Sequence, residues 1–221
     1  KFNNLLICVM GNSALPSNII TTYIHDLKTP IYIHQNYGLP PQADANTLII
    51  VISYSGNTEE AISSLEEAAR NGFKAVVVTT GGKIKDLAEE HKLPIVLIPG
   101  ATLQSRFSLG YLFAGLVGIL TNSGIIENKS KDIYSLTESI KPLLFEKTGN
   151  ILAKTLLGKI PIIYSSYRFK NLARIWKIKF NETSKVMAFW NYFPELNHNE
   201  MAGFANPQGN FHFIIIRDIT D

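Results

Sequence analysis

The run Thr47-Leu48-Ile49-Ile50-Val51-Ile52 limits the folds open to this chain more than any other stretch. It is apolar almost throughout and rich in β-branched side chains, so it reads as a strand buried on both faces, as in a parallel sheet covered by helices. It passes through Ser53-Tyr54-Ser55-Gly56-Asn57-Thr58 into residues 59–69, where Ile62, Leu65 and Ala69 recur at helical spacing. Gly56 relieves the backbone of the turn, and Thr58 is placed to cap the helix. A strand, turn and helix in this order aim backbone N–H groups and the positive end of a helix dipole at one spot, which suits an anion. The hydroxyls of Ser53, Ser55 and Thr58 add donors that can wrap a phosphate. Ser, Gly, Asn and Thr are also ordinary turn formers. Here, however, they crowd the end of a wholly apolar strand, where open α/β sheets place their ligands. Neither Gly-x-Gly-x-x-Gly nor a Gly-Lys-Ser/Thr loop is present, so the turn is no nucleotide fingerprint.

The plan repeats along the chain. Leu5-Leu6-Ile7-Cys8-Val9 reads as a strand, turned by Met10-Gly11-Asn12-Ser13 into a helix over 14–27 with Pro16 in its first turn. Further strands are expected at 31–33, 75–79 and 94–98, with a short helix over 85–90 and a long apolar helix after Pro99-Gly100. Strands alternating with helices at this spacing predict an α/β fold, a three-layer sandwich on a parallel sheet. Composition turns polar near residue 122, and a crossing helix is expected over 130–154. A second unit opens with Pro161-Ile162-Ile163-Tyr164-Ser165, continues as a helix over 167–180, and adds strands at 185–189 and 211–216. The boundaries that follow are a first domain over 1–125, a linker and crossing helix over 126–155, and a second, incomplete domain over 156–221.

Composition excludes several classes. A hydrophobic share of 46% against 18% charged residues describes a globular chain rather than a disordered one. The net charge of +3 is spread without a basic block, so nucleic acid is not implied. Cys8, the single cysteine, cannot form an internal disulfide; it reads as a buried filler in a reducing, cytoplasmic setting. The greasy stretch over 109–120 is too short to span a bilayer and is interrupted by three glycines, so no membrane role is expected. No leader with a cleavage site is read at the start, and the missing initial Met suggests that terminal residues lie outside this sequence.

Two side chains in the second unit could move protons. Glu182 sits between the expected helix and strand, in a loop position; a surface Glu beside a Lys is the commoner reading of such a residue. His198, in Pro194-Glu195-Leu196-Asn197-His198-Asn199-Glu200, titrates near neutrality and can act as acid or base. A hydrogen-bonded loop histidine explains it as well. Metal binding by Glu195, His198 and Glu200 is a third reading, although their spacing matches no common metal pattern.

Ser53 through Glu59 resembles the phosphosugar-binding signature of the sugar isomerase (SIS) domain family. Asn181-Glu182-x-x-Lys185 followed by Pro194-Glu195-x-x-His198-Asn199 is similar to the second-domain signature of the bifunctional phosphoglucose/phosphomannose isomerases, which carry two SIS domains in tandem. The resemblance implies interconversion of glucose 6-phosphate, and of mannose 6-phosphate, with fructose 6-phosphate, without metal or organic cofactor. It implies that Glu182 shuttles a proton between C1 and C2 and that His198, donated by the partner of a homodimer, assists ring opening. It implies that Arg106, near the start of the long helix, steadies the enediolate. Ser53, Ser55, Gly56, Asn57 and Thr58 would hold the phosphate, with Gly11, Asn12 and Ser13 flanking the sugar. Asn12 stands where the family commonly has glycine, and the catalytic Lys that the family places in a C-terminal helix has no match here. A non-catalytic phosphosugar sensor would keep the Ser/Thr turn but have no use for Glu182 and His198 together. An isomerase built on a single SIS domain would not need the second unit.

Overall fold

The computed structural model, which describes residues 2–100 and 103–217, begins with β1 (Asn4–Val9), a 3-10 turn (Gly11–Ala14), α1 (Leu15–Tyr23) and β2 (Ile31–His34). There follow β3 (Thr47–Ser53), α2 (Glu59–Arg70), β4 (Ala75–Thr79), α3 (Lys83–Glu90), β5 (Ile95–Leu97), a 3-10 turn (Ser105–Phe107) and α4 (Leu109–Asn122). These elements make a first unit, Lys1–Lys131. Its five strands lie in the order β2-β1-β3-β4-β5, every pair parallel.

The unbroken apolar run explains β3, which is buried at every position in mid-sheet. One face of the sheet, with Cys8, Val51 and Val77, packs on Ala61, Leu65 and Ala68 of α2 and on Ile84 and Ala88 of α3. The other faces α4, whose Gly115 comes so near that an added Cβ would meet Val96 at 3.4 Å and Val78 at 3.5 Å. α1 shares that side, its Tyr23 ring lying edge-on to Phe113 of α4 at 5.9 Å. Helices on both faces make three layers. The strand order also creates a switch point: the chain leaves β1 for β2 on one side and returns as β3 on the other. The carboxyl ends of β1 and β3 therefore border a crevice, the place where such sheets bind ligands.

The second unit, Asp132–Asp221, begins within α5 (Ser130–Ser139) and continues through α6 (Pro142–Thr155), β6 (Ile160–Ser166), a 3-10 turn (Tyr167–Phe169) and α7 (Lys170–Lys179). A π-helical turn (Phe180–Ser184), β7 (Phe189–Phe193), 3-10 turns at Glu195–His198 and Glu200–Ala205, and β8 (Phe211–Ile216) complete it. Its sheet is parallel, in the order β7-β6-β8. Alternation along β6 divides the packing. Ile163 faces α7 through Ala173, whereas Ile162 and Tyr164 face Leu196 on the opposite side.

Several boundaries differ from those the sequence suggests. α1 stops at Tyr23, not residue 27. The crossing helix over 130–154 is two helices, because Pro142 lacks an N–H and starts a new one. The strand expected at 185–189 lies at Phe189–Phe193, since Lys185 adopts a left-handed backbone (φ 58°) that no strand accommodates. Among the described residues, no helix is long and apolar enough to cross a membrane.

Cys8 is 1% exposed. Burial, reinforced by the Glu67 carboxylate and only partly offset by a hydrogen bond with Ser64, pushes its thiol from the ordinary 9.0 up to about 12. At pH 8 its thiolate is then about a thousandfold scarcer than an ordinary one. Alkylation of the native protein at pH 8 is expected to be slower than that of the denatured chain by at least this factor. Equal rates, followed by mass spectrometry, would contradict the burial argument.

Candidate functional site

At the carboxyl end of β3 the side chain of Ser53 is 1% exposed and its hydroxyl turns back into the chain. Ser53 Oγ lies 2.9 Å from Thr58 Oγ1 and accepts the Gly56 N–H at 3.1 Å. Ser55 Oγ accepts the Asn57 N–H at 3.2 Å, and the side chains of Ser55 and Asn57 are exposed. The turn thus keeps one hydroxyl inside as a brace and offers another at the surface. Thr58 occupies the N-cap position of α2 with extended backbone (ψ 118°), but its side chain makes no cap hydrogen bond. The expected side-chain cap is replaced by the pair with Ser53, so no side chain at that position takes up the first N–H groups of the helix.

The Gly81-Gly82 turn after β4 braces the site from the adjacent strand, and nothing in the sequence reading singled it out. Lys83 N–H donates to Asn57 Oδ1 at 3.1 Å, Ile84 N–H to Gly56 O at 2.9 Å, and Thr80 Oγ1–H to Tyr54 O at 2.7 Å. Gly56 has φ +69°, and a Cβ there would lie 1.7 Å from Gly81 O. The signal was a glycine pair closing the parallel neighbour of the strand that bears the hydroxyl turn.

Two further turns meet this one. Ser13, 7% exposed, accepts the Tyr54 N–H at 3.4 Å, so the Gly11–Ala14 turn after β1 abuts the turn after β3. Left-handed backbone falls on Gly11 (φ +53°), not on Asn12, so the asparagine sits there without backbone strain. Arg106 lies in the Ser105–Phe107 turn, which packs on the Gly11–Ala14 turn, and not in the long helix; α4 begins only at Leu109, after Ser108. Its guanidinium sits 5.3 Å from the centre of the Phe107 ring. The Tyr54 hydroxyl donates to Leu103 O and, at 3.2 Å, to Gly100 O, tying the approach to Arg106 to the hydroxyl turn. Gly11, Asn12, Ser13, Ser53, Ser55, Gly56, Asn57, Thr58 and Arg106 are thus drawn to one end of the first sheet.

Glu182 and His198 lie in the second unit and are not brought together there. Glu182 belongs to the π-helical turn that prolongs α7, not to an open loop. That turn is closed by Asn181 Nδ2–H donating to Val186 O at 2.8 Å and by left-handed Lys185. π turns of this kind recur at functional sites. Phe180, which opens it, packs on the α7 face of the second sheet. His198 is exposed in a segment whose Leu196 packs on the opposite face. Among the described residues no group of three His, Cys, Asp or Glu side chains could hold a metal, Glu195, His198 and Glu200 included.

Comparison with known proteins adds to this geometry. Residues 27–105 match the SIS domain, and residues 145–221 match the bacterial phospho-glucose isomerase C-terminal SIS domain. Over 99% of its length the chain is 36% identical to the bifunctional phosphoglucose/phosphomannose isomerase of Caldicellulosiruptor bescii, covering 68% of that protein. It is 32% identical, over 91% of its length, to the D-glucosamine-6-phosphate 4-epimerase of Sulfolobus acidocaldarius, covering 64% of that protein. The solved glucosamine-6-phosphate deaminase of Thermotoga maritima shares the fold at a TM-score of 0.75 and 16% identity, with 96% of this chain and 67% of that one covered.

The packing separates two glycines of the site. Gly11→Ala places a side chain in open space and is expected to cost only the roughly 1–2 kcal/mol of left-handed backbone. Gly56→Ala adds a backbone collision to the same strain and is expected to destabilise the first unit considerably more. Urea denaturation followed at the first unit's transition reads the difference; equal losses would mean that the two turns do not interlock.

Proposed function

The chain belongs to the bifunctional phosphoglucose/phosphomannose isomerase family, and on that premise we propose that it interconverts glucose 6-phosphate and mannose 6-phosphate with fructose 6-phosphate. The observation that bears most weight is the meeting of the Ser53–Thr58 turn, the Gly11–Ala14 turn and Arg106 at the carboxyl ends of β1 and β3. Hydroxyls and helix N–H groups, rather than lysines, would receive the phosphate there. Asn57 is held by the Lys83 N–H, and in this reading Gly11, Asn12 and Ser13 border the sugar.

The reaction asks little beyond proton transfer. In the open-chain aldose the C2 proton is acidified by the C1 carbonyl. Removing it gives an enediolate; passing the hydroxyl proton from O2 to O1 and returning the carbon-bound proton to C1 gives the ketose. In this reading Glu182 removes and returns that proton from the ordered π turn, and Arg106 stabilises the charge gathering on oxygen, often the largest contribution to such catalysis. His198 first opens the sugar ring. Glu182 and His198 belong to segments on opposite faces of one sheet, which supports a homodimer in which each His198 serves the partner's Glu182. The substrates and the lone buried Cys8 fit a cytoplasmic setting.

The kinship with a 4-epimerase of glucosamine 6-phosphate supplies a second reading, in which an amino-sugar phosphate reacts at C4. Incubating the full-length protein separately with fructose 6-phosphate and glucosamine 6-phosphate, with the products identified by NMR, separates the two. A rise in melting temperature with either sugar but no turnover would leave a phosphosugar sensor. Glu182→Gln is expected to lower kcat on fructose 6-phosphate by about 10²–10⁴-fold while phosphosugar affinity stays close to wild type. Undiminished turnover in a coupled assay would remove Glu182 from the mechanism.

A further inference from the structure

The segment holding His198 has no α-helix or strand of its own. Its two 3-10 turns are joined at Asn199 (φ −144°, ψ −52°) and are held by i→i+3 bonds such as Asn197 N–H to Pro194 O at 3.0 Å and Ala202 N–H to Asn199 O at 3.3 Å. Such turns are too short and weakly bonded to fix a side chain by themselves. Three side chains spaced four apart fasten the segment to the sheet instead. Leu196 is 0% exposed beside Ile162 and Tyr164, and the Phe204 ring packs edge-on to Phe213 at 5.2 Å. Between them, the half-buried carboxylate of Glu200 receives the Tyr164 hydroxyl on Oε1 at 2.5 Å and the Asn191 amide on Oε2.

Both donors come from paired strands, Tyr164 lying opposite Asn191 in the β6–β7 register. Asn191 is itself oriented, because its Oδ1 accepts the Tyr192 N–H at 2.9 Å. Tyr164 is 3% exposed, and burial together with the Glu200 carboxylate keeps its phenol protonated well past its ordinary range. Every member of the tie is therefore committed: two donors, one acceptor group and a backbone N–H that fixes which way the amide points. The exposed His198 is two residues from this anchor and two from Leu196.

We propose that Glu200 is a positioning residue for ring opening, setting the place of His198 through Tyr164 and Asn191. The assignment rests on His198 acting at the sugar ring, as proposed above. It predicts that exchanging acid and amide between two positions preserves function where either change alone does not. Glu200→Gln leaves either the Tyr164 O–H or the Asn191 N–H without an acceptor, and Asn191→Asp sets two carboxylates against each other. In the double variant the amide at 200 accepts from Tyr164 and donates to the carboxylate at 191, which still accepts the Tyr192 N–H.

The test uses the full-length protein with two substrates: fructose 6-phosphate, and its 5-deoxy analogue, which lacks the hydroxyl needed to close the ring. On the cyclic sugar each single variant is expected to lose about 10²-fold in kcat, the scale of a misplaced catalytic group, with KM little changed, and the double variant is expected to recover most of the loss. On the open-chain analogue all variants, and His198→Ala, are expected to match the wild type. Equal losses of the single variants on both sugars, or no recovery in the double variant, would reduce Glu200 to a fold-stabilising role and overturn the proposal. If His198→Ala itself leaves the cyclic sugar unaffected, the ring-opening assignment fails and this one falls with it. If His198→Ala is impaired on the cyclic sugar but the Glu200 variants are not, only the positioning role is lost.

Discussion

A hydroxyl buried at the end of a strand must find a partner inside the protein, and much of the first unit can be derived from how Ser53 does so. Leaving such a group unpaired costs about 1–3 kcal/mol by the measure of protein mutants. Pairing it with Thr58 and the Gly56 N–H bends the chain back at once, and that bend is the candidate site. The bend needs left-handed Gly56, and Gly56 in turn needs the bare backbone of Gly81 against it. β4 ends by the same device: Thr79, opposite Ser53 in register and 0% exposed, accepts the Gly81 N–H at 3.2 Å. Two neighbouring strands, each closing on its own buried hydroxyl, therefore hold two turns against each other.

The second unit holds its candidate residues in another way. Among its described residues nothing corresponds to the interlocked turns; side chains do much of the fastening. Asn181 reaches past Glu182 to Val186 O, and Glu200 reaches from the His198 segment to two strands. Such ties depend on amide and carboxylate geometry, so a single-atom exchange can undo them without altering volume. The alternation of β6, with Ile163 toward α7 and Tyr164 away from it, assigns the two ties to different faces.

Legibility in the sequence followed burial. β3, β4 and β8 were placed to within a residue because fully or nearly apolar runs admit one reading, and the turn between β3 and α2 was legible for the same reason. Burial pattern alone misplaced β7. Val186 and Met187 are apolar yet exposed, while Phe189-Trp190-Asn191-Tyr192-Phe193 forms the strand with a polar residue at its centre, and that asparagine donates to Glu200. The π turn was illegible because its backbone bond from Lys185 N–H to Phe180 O, and the Asn181 side chain and left-handed Lys185 that close it, leave no periodic trace. The tie between Tyr164 and Glu200 spans 36 positions, and only the folded sheet brings its ends together.

Tyr54 sits inside the hydroxyl turn, yet its own oxygen points elsewhere, to the carbonyls of Gly100 and Leu103. Its backbone meanwhile accepts from Thr80 and donates to Ser13. One residue thus links three loops, and the distance from the hydroxyl turn to the carbonyls of Gly100 and Leu103 is spanned by a single phenol. A rigid ring is a better gauge for that purpose than a flexible chain, because it has one extension. The spacing between the hydroxyl turn and those two carbonyls is thereby held by covalent geometry and not by a flexible chain.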